Sequence, residues 1–234
     1  QLEAFAAMAE QGLVYKGLRP VYWCPTCKTA LAEAEIEYHD TNSDSIYVRF
    51  ELTEDPKQVF PELGKPIYYV IWTTTPWTLP ANVAIALHAD FEYVLVDAHD
   101  CFYVMAKDLA EDVCQAVGLT DVELGATFVG RELEGMVCQH PFLEDRQSLV
   151  ILADHVTLDA GTGCVHTAPG YGQEDFVAGM RYNLPVINPV DDSGVLTSEA
   201  GQFAGMYYEK ANQAILEELA KRGALLNAGH ISHQ

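Results

Sequence analysis

Three consecutive threonines, Thr73, Thr74 and Thr75, form the first group in this sequence whose side chains could do chemistry. They follow residues 66–71, an apolar run of aromatic and β-branched residues that favours a strand, and Pro76 then interrupts the backbone pairing. The hydroxyls are therefore predicted where a strand passes into a loop, a position suited to holding a polar ligand beside a rigid scaffold. Threonine is also a common strand residue, so this composition alone does not identify a site.

A second stretch, residues 159–176, combines a thiol, an imidazole and a carboxylate. Cys164 and His166 are two positions apart in a predicted short strand, and such a pair could act as a nucleophile and its base. Asp175 lies in the first turn of a helix predicted from residue 173, where the helix dipole favours a carboxylate even without a function. His166 could equally be a strand histidine whose nitrogens are hydrogen-bonded within the fold.

The elements that position these side chains follow from periodicity and turn residues. Residues 30–38 are ambiguous, because Ala and Glu favour helix, but apolar residues alternate strictly with glutamates and predict a strand with one solvated face. Helices are predicted at residues 2–11, 108–117, 173–182 and 209–222. Strands are predicted at residues 21–23, 45–52, 66–75, 83–87, 91–97, 101–105 and 224–226, with further strands within 122–138 and 148–153.

The string W-T-T-T-P-W-T-L-P-A-N, from Trp72 to Asn82, resembles the threonine-rich peptide of the editing domain inserted in isoleucyl-tRNA synthetases. The related valyl and leucyl enzymes resemble it less, because they typically carry arginine at the position of Thr75 and an acidic residue at that of Trp77.

The second stretch resembles the other signature block of the same editing domain. Its pattern is G-T-G-x-V-H-T-A-P-G-x-G-x-x-D, which here ends at Asp175. One departure is Tyr171, where many relatives have a histidine between two glycines, so His166 is the only histidine in the block. The resemblance covers nearly the whole chain.

This resemblance implies an α+β fold, a Greek-key-like β-barrel editing domain with peripheral helices. The editing core is expected at residues 45–223, after a connecting segment with a Cys-x-x-Cys turn at residues 1–44. Residues 224–234 are expected to return towards the synthetase body. Blocks of the H-I-G-H and K-M-S-K-S type are absent from the sequence, so we expect no aminoacylation by this chain.

The implied activity is post-transfer editing, the hydrolysis of the ester of mischarged valyl-tRNA(Ile). A pocket that accepts isoleucine cannot strongly reject a ligand one methylene smaller, and isoleucine against valine is the standard example of this limit. Water is the expected nucleophile, with a Cys164–His166 pair as the alternative. No cofactor is implied.

The resemblance also implies roles for single residues. Asp175 would hold the α-ammonium of the substrate, and His166 would form a wall that admits valine and clashes with isoleucine, with proton transfer as its secondary role. Asn82 would support the threonine loop. The three threonines would grip the ribose and carbonyl and help place water. The catalytic candidates are thus Thr73, Thr74, Thr75, His166 and Asp175, and the substrate-binding candidates are Trp72, Trp77, Asn82, Thr167 and Gly172.

Composition limits the partners. The chain has 234 residues, 49% of them hydrophobic, which suits one large domain or two small ones, and its formal charge is −21. This charge argues against a broad nucleic-acid surface, so only the aminoacylated 3′ end of tRNA(Ile) is expected to enter. The remaining domains of a parent synthetase are the other expected partners, and we expect a monomeric, cytoplasmic segment without a signal peptide or membrane contact.

The cysteines are expected to be reduced, because a chain of this size does not need disulfides. Cys24 and Cys27 have the spacing of half a zinc knuckle, but no second Cys-x-x-Cys follows, and we favour a reduced pair in a turn over a metal site. His230 and His233 could complete four ligands, although their spacing is short.

Three hypotheses follow from the sequence: a hydrolytic editing domain, a structural or tRNA-end-binding insert that lacks hydrolysis, and a zinc-knuckle interaction module.

Overall fold

The computed structural model describes residues 1–61 and 63–233, apart from the side chain of His233. The strands are β1 (Trp23–Cys24), β2 (Thr29–Ala30), β3 (Thr41–Glu54), β4 (Ile67–Thr73), β5 (Ala84–Leu87), β6 (Glu92–Asp97), β7 (Phe102–Ala106), β8 (Glu123–Val129), β9 (Val137–Gln139), β10 (Gln147–Leu152), β11 (Val165–Thr167) and β12 (Leu225–His233). The helices are α1 (Leu2–Glu10), α2 (Ala110–Ala116), α3 (Gly130–Leu133), α4 (Gln173–Arg181) and α5 (Tyr208–Lys221). Short 3₁₀ segments lie at Glu33–Glu35, Pro76–Ala81, Lys107–Leu109 and Ser198–Phe203.

One long strand, β3, joins the parts of a mixed sheet. It pairs with β12 over residues 41–48, with β4 over residues 46–51 and with β9 near its end. The sheet order is β11-β5-β10-β9-β3-β4-β7-β6-β8, with β12 beside β3. The pairs β5/β10 and β4/β7 are parallel, and the other pairs are antiparallel. The α+β class is confirmed, but the hydrogen-bonded path of the described strands does not return to its start, so the predicted barrel is not confirmed.

The core lies under the strands that lead into the two signature stretches. Tyr69, Val70 and Ile71 of β4 are fully buried, and so is every residue of β5. Burial on both faces explains why β5 is a continuous apolar run rather than an alternating one. Truncating such a residue, for example Ile85 to alanine, typically costs about 2–5 kcal/mol of stability. The site is thus built next to fully buried parts of the sheet.

The prediction of a strand over residues 30–38 is wrong beyond Ala30. The segment contains the Glu33–Glu35 3₁₀ turn, in which the Glu35 carboxylate accepts a hydrogen bond from the Ala32 N–H at 2.7 Å. Most of the alternating residues are exposed, and β2 ends at Ala30 with β1 as its partner. Alternation predicts a strand only where a neighbouring strand and a core exist to receive it.

The final strand is longer than the predicted residues 224–226. β12 continues to His233 because the backbone of β3 supplies hydrogen-bond partners along residues 41–48. Its sequence lacks a clear alternation of apolar and polar residues, so the sequence alone gave little indication of a strand beyond residue 226. β3 itself starts at Thr41 and therefore crosses the predicted boundary between residues 44 and 45. That division of the chain remains a prediction.

The end of β4 determines where the threonines lie. β4 ends at Thr73, and Pro76 occupies the start of the Pro76–Ala81 3₁₀ segment. A proline fits the first helical turn because the missing N–H would have no intrahelical partner there. The hydroxyl-bearing stretch is therefore held between a buried strand and a short helix, whereas the sequence predicted an irregular loop. None of the helices in the described part of the chain is long and apolar enough to cross a membrane.

Candidate functional site

A cleft of about 510 Å³ opens beside the end of β4. The loop that precedes β11, residues 155–164, forms one side, and the first turn of α4 forms another. The lining residues are Trp72, Thr73, Thr74, Thr75, Trp77, Thr78, His155, Thr157, Ala160, Gly161, Thr162, Gly163, Cys164, Val165, His166, Ala168, Tyr171, Gly172 and Asp175. The two stretches singled out in the sequence thus face each other across one cavity.

The three threonines differ in what their hydroxyls do. The Thr73 hydroxyl accepts a hydrogen bond from the Thr75 N–H at 3.1 Å and lies 3.3 Å from the Thr75 hydroxyl. The Thr75 hydroxyl is also 3.5 Å from that of Thr78. The Thr74 hydroxyl has no hydrogen-bond partner among the described residues, and the side chain lines the cleft. Thr73 and Thr75 therefore bond to each other within the turn, whereas the Thr74 hydroxyl is the unpartnered one of the three in the described part of the chain.

His166 is held at both ring nitrogens. The Asn82 amide nitrogen donates to Nδ1 at 2.8 Å and also donates to the Ala84 carbonyl at 2.9 Å. Because Nδ1 is an acceptor, the neutral ring carries its proton on Nε2, which donates to the Thr78 hydroxyl at 3.0 Å. Thr78 in turn donates to the Thr75 carbonyl at 2.8 Å.

Burial lowers the pKa of His166 to about 4. Desolvation disfavours the charged form, so the ring is neutral at neutral pH. A neutral ring with both nitrogens bonded inside the protein has neither a lone pair nor a mobile proton to offer a substrate. His166 can therefore act as a rigid wall of the cleft, and the geometry does not support the secondary proton-transfer role.

The Cys164 thiol is not poised to act as a nucleophile. It is 2% exposed and directed to the Val104 carbonyl, 3.8 Å from the sulfur. Burial raises the pKa of this thiol well above its ordinary value, so the reactive thiolate is disfavoured. The ring nitrogens of His166 bond to Asn82 and Thr78 instead. The Cys–His alternative is therefore contradicted by the structure.

Asp175 presents one carboxylate oxygen to the cleft. Its Oδ2 accepts the Ala168 N–H at 3.0 Å, and its Oδ1 lies 4.0 Å from the His155 Nε2. Burial raises the pKa of Asp175, and the Ala168 hydrogen bond and His155 oppose this shift. A partly desolvated carboxylate gains most from a cationic partner. Gly172 is needed here, because a Cβ at that position would lie 2.9 Å from the Asp175 Cγ.

Aromatic side chains form the outer wall of the cleft. The Trp77 ring packs edge to face against Tyr171 at 5.0 Å and against Tyr208 of α5 at 4.8 Å between centroids. The backbone N–H of Trp77 donates to the Asn212 side-chain oxygen at 2.9 Å, and this hydrogen bond connects the wall to α5. The Trp72 indole N–H donates to the Ser45 hydroxyl at 2.8 Å. Both tryptophans are thus fixed before any ligand arrives.

Two predicted substrate-binding residues lie behind the cleft wall rather than on it. Asn82 and Thr167 are 0% exposed. Asn82 accepts a hydrogen bond from the Ser148 hydroxyl in addition to its contact with His166. The Thr167 hydroxyl donates to the Val165 carbonyl at 3.2 Å within β11. Asn82 therefore holds the His166 ring from behind, and neither Asn82 nor Thr167 lines the cleft, so their substrate-binding roles stay predictions. The other predicted site residues line the cleft.

Among the polar cleft residues that sequence reasoning missed are Thr78, His155, Thr157 and Thr162. Thr78 lies inside the threonine-rich string and could have been found there, since its hydroxyl is three residues from Thr75. His155 stands outside both signature strings, in the loop after β10, and no local pattern marks it.

No group of three or more metal-ligating side chains occurs among the described residues. Cys24 and Cys27 are free thiols at the β1/β2 hairpin, where the Cys27 N–H donates to the Cys24 sulfur at 3.4 Å. This hydrogen bond lowers the pKa of the Cys24 thiol. His230 lies 3.4 Å from Asp44, and the side chain of His233 lies outside the described residues.

Comparison with known proteins gives consistent matches. Residues 1–147 match the family of tRNA synthetases class I (I, L, M and V). The whole chain is 55% identical to isoleucine–tRNA ligase of Natranaerobius thermophilus and to that of Moorella thermoacetica, and 99% of it is 53% identical to that of Fervidobacterium pennivorans. It spans about a quarter of these relatives, 25%, 25% and 24% of their lengths.

A solved structure shares the fold. The crystal structure of GlLeuRS-CP1 aligns with a TM-score of 0.64 over 79% of this chain and 98% of that chain, at 14% sequence identity. At this identity the likeness concerns the fold alone.

Proposed function

This chain belongs to the class I tRNA synthetases (I, L, M and V), and we propose that its cleft performs post-transfer editing, the hydrolysis of the ester that joins valine to tRNA(Ile). The proposal rests on two groups that line the same cavity. One is a partly buried carboxylate that can bind a cation, and the other is a hydroxyl without a hydrogen-bond partner among the described residues. Asp175 and Thr74 are these two groups. The neutral, immobilised His166 lies on the same wall.

Asp175 selects the aminoacyl group. An aminoacyl ester carries a free α-ammonium, which a peptide bond lacks, and the open Oδ1 of Asp175 can accept a charge-assisted hydrogen bond from it. This contact places the amino-acid end of the substrate against α4. The ribose and the terminal adenosine then extend towards the threonines and the aromatic wall.

His166 limits the size of the amino-acid side chain. Because Asn82 and Thr78 hold the ring at both nitrogens, the ring cannot rotate away from a larger substrate. The additional methyl group of isoleucine would therefore clash with it. Hydrophobic attraction alone discriminates weakly between valine and isoleucine. A steric clash with isoleucine would exclude the larger amino acid from the cleft.

Water is the nucleophile in this proposal, because the Cys164 thiol is buried and held protonated. The water oxygen forms a bond to the ester carbonyl carbon, and the bond from that carbon to the ribose oxygen breaks. A proton of the water ends on the ribose oxygen, which gives valine and deacylated tRNA. The Thr74 hydroxyl positions the water or the carbonyl, a contribution that acts through orientation.

The partners of this reaction are the aminoacylated 3′ end of tRNA(Ile) and the remaining domains of a synthetase, which hold the body of the tRNA. The net charge of −21 fits this division, since phosphate binding needs lysine and arginine.

The test is deacylation of valyl-tRNA(Ile) and isoleucyl-tRNA(Ile) by this chain, at concentrations that saturate the tRNA. We expect release of valine only, and its loss in Asp175→Ala. Glu174→Ala is the matched control, because Glu174 is the neighbouring carboxylate, is exposed and does not line the cleft. Failure to release valine at saturation would leave a binding or structural insert as the function.

A further inference from the structure

Among the residues that line the cleft, His155 is the one with a buried ring nitrogen that has no hydrogen-bond partner in the described part of the chain. Its Nε2 is buried and has no partner among the described residues, and the nearest charged atom is the Asp175 Oδ1 at 4.0 Å. Buried polar atoms in proteins are nearly always paired, because leaving one unpaired destabilises the fold. Such an atom at the wall of a substrate cleft indicates that its partner is the ligand.

The other enclosed histidines of the domain show what a structural histidine does here. His166 uses both nitrogens, as described above. His140 places Nε2 2.9 Å from the Leu79 carbonyl, and its Nδ1 accepts the N–H groups of Phe142 and Leu143. His155 departs from this pattern at its buried Nε2, which lies 4.0 Å from Asp175 Oδ1 and has no hydrogen-bond partner among the described residues.

We propose that His155 Nε2 and Asp175 Oδ1 form a two-point clamp for the α-ammonium of the substrate. The inference rests on the proposed editing function and assigns its amine-recognition step to a pair instead of to Asp175 alone. His155 is thereby a substrate-binding residue that neither signature string contains.

The spacing of the two atoms fits this role. At 4.0 Å they are too far apart to bond to each other, but one nitrogen between them can lie about 2.8 Å from both. An ammonium has three N–H donors and can serve two acceptors at once. The second oxygen of Asp175 is already bonded to the Ala168 N–H, which fixes the carboxylate and leaves Oδ1 for the ligand.

The clamp requires the neutral His155 ring with its proton on Nδ1. Nδ1 is not among the buried atoms without a partner, so it can keep that proton. In that tautomer Nε2 carries a lone pair, so Nε2 and Asp175 Oδ1 can both accept a hydrogen bond from one ammonium. A hydroxyl in place of the ammonium would lose the charge and two of the three donors.

The experiment compares two non-hydrolysable adenosine analogues, one with an amide-linked valyl group and one with the corresponding 2-hydroxy acid. Binding of each to the chain is measured by calorimetry for the unaltered protein, His155→Leu and His155→Gln. We expect the unaltered chain to prefer the amine analogue and His155→Leu to weaken the binding of that analogue about tenfold, with little effect on the hydroxy analogue. His155→Gln, which keeps a side-chain acceptor, should recover part of the preference.

His39→Leu is the matched control, because His39 is 78% exposed and does not line the cleft. Equal weakening of both analogues in His155→Leu would mean that the ring has a structural role, and this result would overturn the clamp. An unaltered chain without preference for the amine analogue would overturn it too. Amine preference without any hydrolysis of valyl-tRNA would support the clamp and reject the hydrolytic function, so the two failures are distinguishable.

Discussion

The amide nitrogen of Asn82 donates a hydrogen bond to Nδ1 of His166 across 2.8 Å, although the two residues are 84 positions apart. This contact decides which nitrogen of the imidazole holds the proton and therefore where the ring points. Asn82 in turn is fixed by Ala84 and Ser148 inside the sheet. The wall of the cleft is thus set by a residue that does not itself line the cleft.

Asn82→Asp should disturb the site without changing its shape. A carboxylate cannot donate to Nδ1, so the ring would move its proton to that nitrogen and the pKa of His166 would rise. We expect valyl-tRNA hydrolysis to fall roughly tenfold, about the cost of one mispaired buried hydrogen bond. Nitrogen NMR of the ring reports the proton position. Asn212→Asp is the control, because Asn212 only accepts a hydrogen bond from the Trp77 N–H. An unchanged ring spectrum would contradict the role of Asn82.

His166→Ala should relax the specificity of editing. Removing the ring leaves room for the additional methyl group of isoleucine, and a difference of that size is worth about 1–3 kcal/mol. The ratio of isoleucyl-tRNA to valyl-tRNA hydrolysis should therefore rise tenfold or more, on the order of that free energy. Thr167→Ser, the next residue along β11 and outside the cleft, serves as the comparison. Continued rejection of isoleucyl-tRNA would assign the size limit to another wall.

Thr74→Val should lower kcat with little effect on KM. Valine has nearly the shape of threonine, so the variant removes the unpartnered hydroxyl and leaves the packing intact. Loss of one positioning group in a hydrolytic site costs roughly a hundredfold in rate. Single-turnover deacylation separates this step from tRNA binding, and Thr127→Val on the exposed face of β8 is the control. Full activity in Thr74→Val would exclude the hydroxyl from the reaction.

Gly172→Ala should act through Asp175. The added Cβ would lie 2.9 Å from the Asp175 Cγ, so the carboxylate must move away from the Ala168 N–H and the ligand. We expect KM to rise about tenfold, the usual loss for one charge-assisted contact. Gly229→Ala provides the matched glycine change, because a Cβ there meets no atom within 4 Å. If KM is unaffected, Asp175 does not depend on this close approach.

The stability of the domain should fall as pH decreases from 7 to 5. Burial lowers the pKa of His140 to about 3 and that of His166 to about 4, whereas both groups have a pKa near 6.5 in the unfolded chain. The unfolded state therefore binds more protons below pH 6.5, so stability rises with pH up to that value and is fully present above it. His140 alone should account for a loss on the order of 2 kcal/mol at pH 5.

Urea unfolding at several pH values measures this effect, with ring NMR to identify the groups that titrate. Imidazole signals of His140 and His166 that titrate near pH 6.5 in the folded protein would contradict the prediction.

The sequence by itself located the two stretches that form the cleft, because each is a contiguous string that resembles a signature block of one family. It also predicted β4, although with an end two residues too late, the hairpin of β6 and β7, and the helix that begins at Gln173, since these follow from short-range periodicity and turn residues.

Local sequence patterns do not show which strand a segment pairs with. The predicted bounds of strands were wrong for this reason. Residues 30–38 alternate like a strand but lack a partner strand and a core, whereas β12 has little alternation and gains its order from β3.

Only the tertiary structure decided which side chains meet. β11 pairs with β5 so that His166 lies opposite Ile85, and this register brings the ring to Asn82. The same long-range packing brings the loop of His155 to the first turn of α4, where its Nε2 faces Asp175. Strand pairing brings together residues that are far apart along the chain. Local sequence patterns do not specify which strands pair or in which register, so they do not predict these contacts.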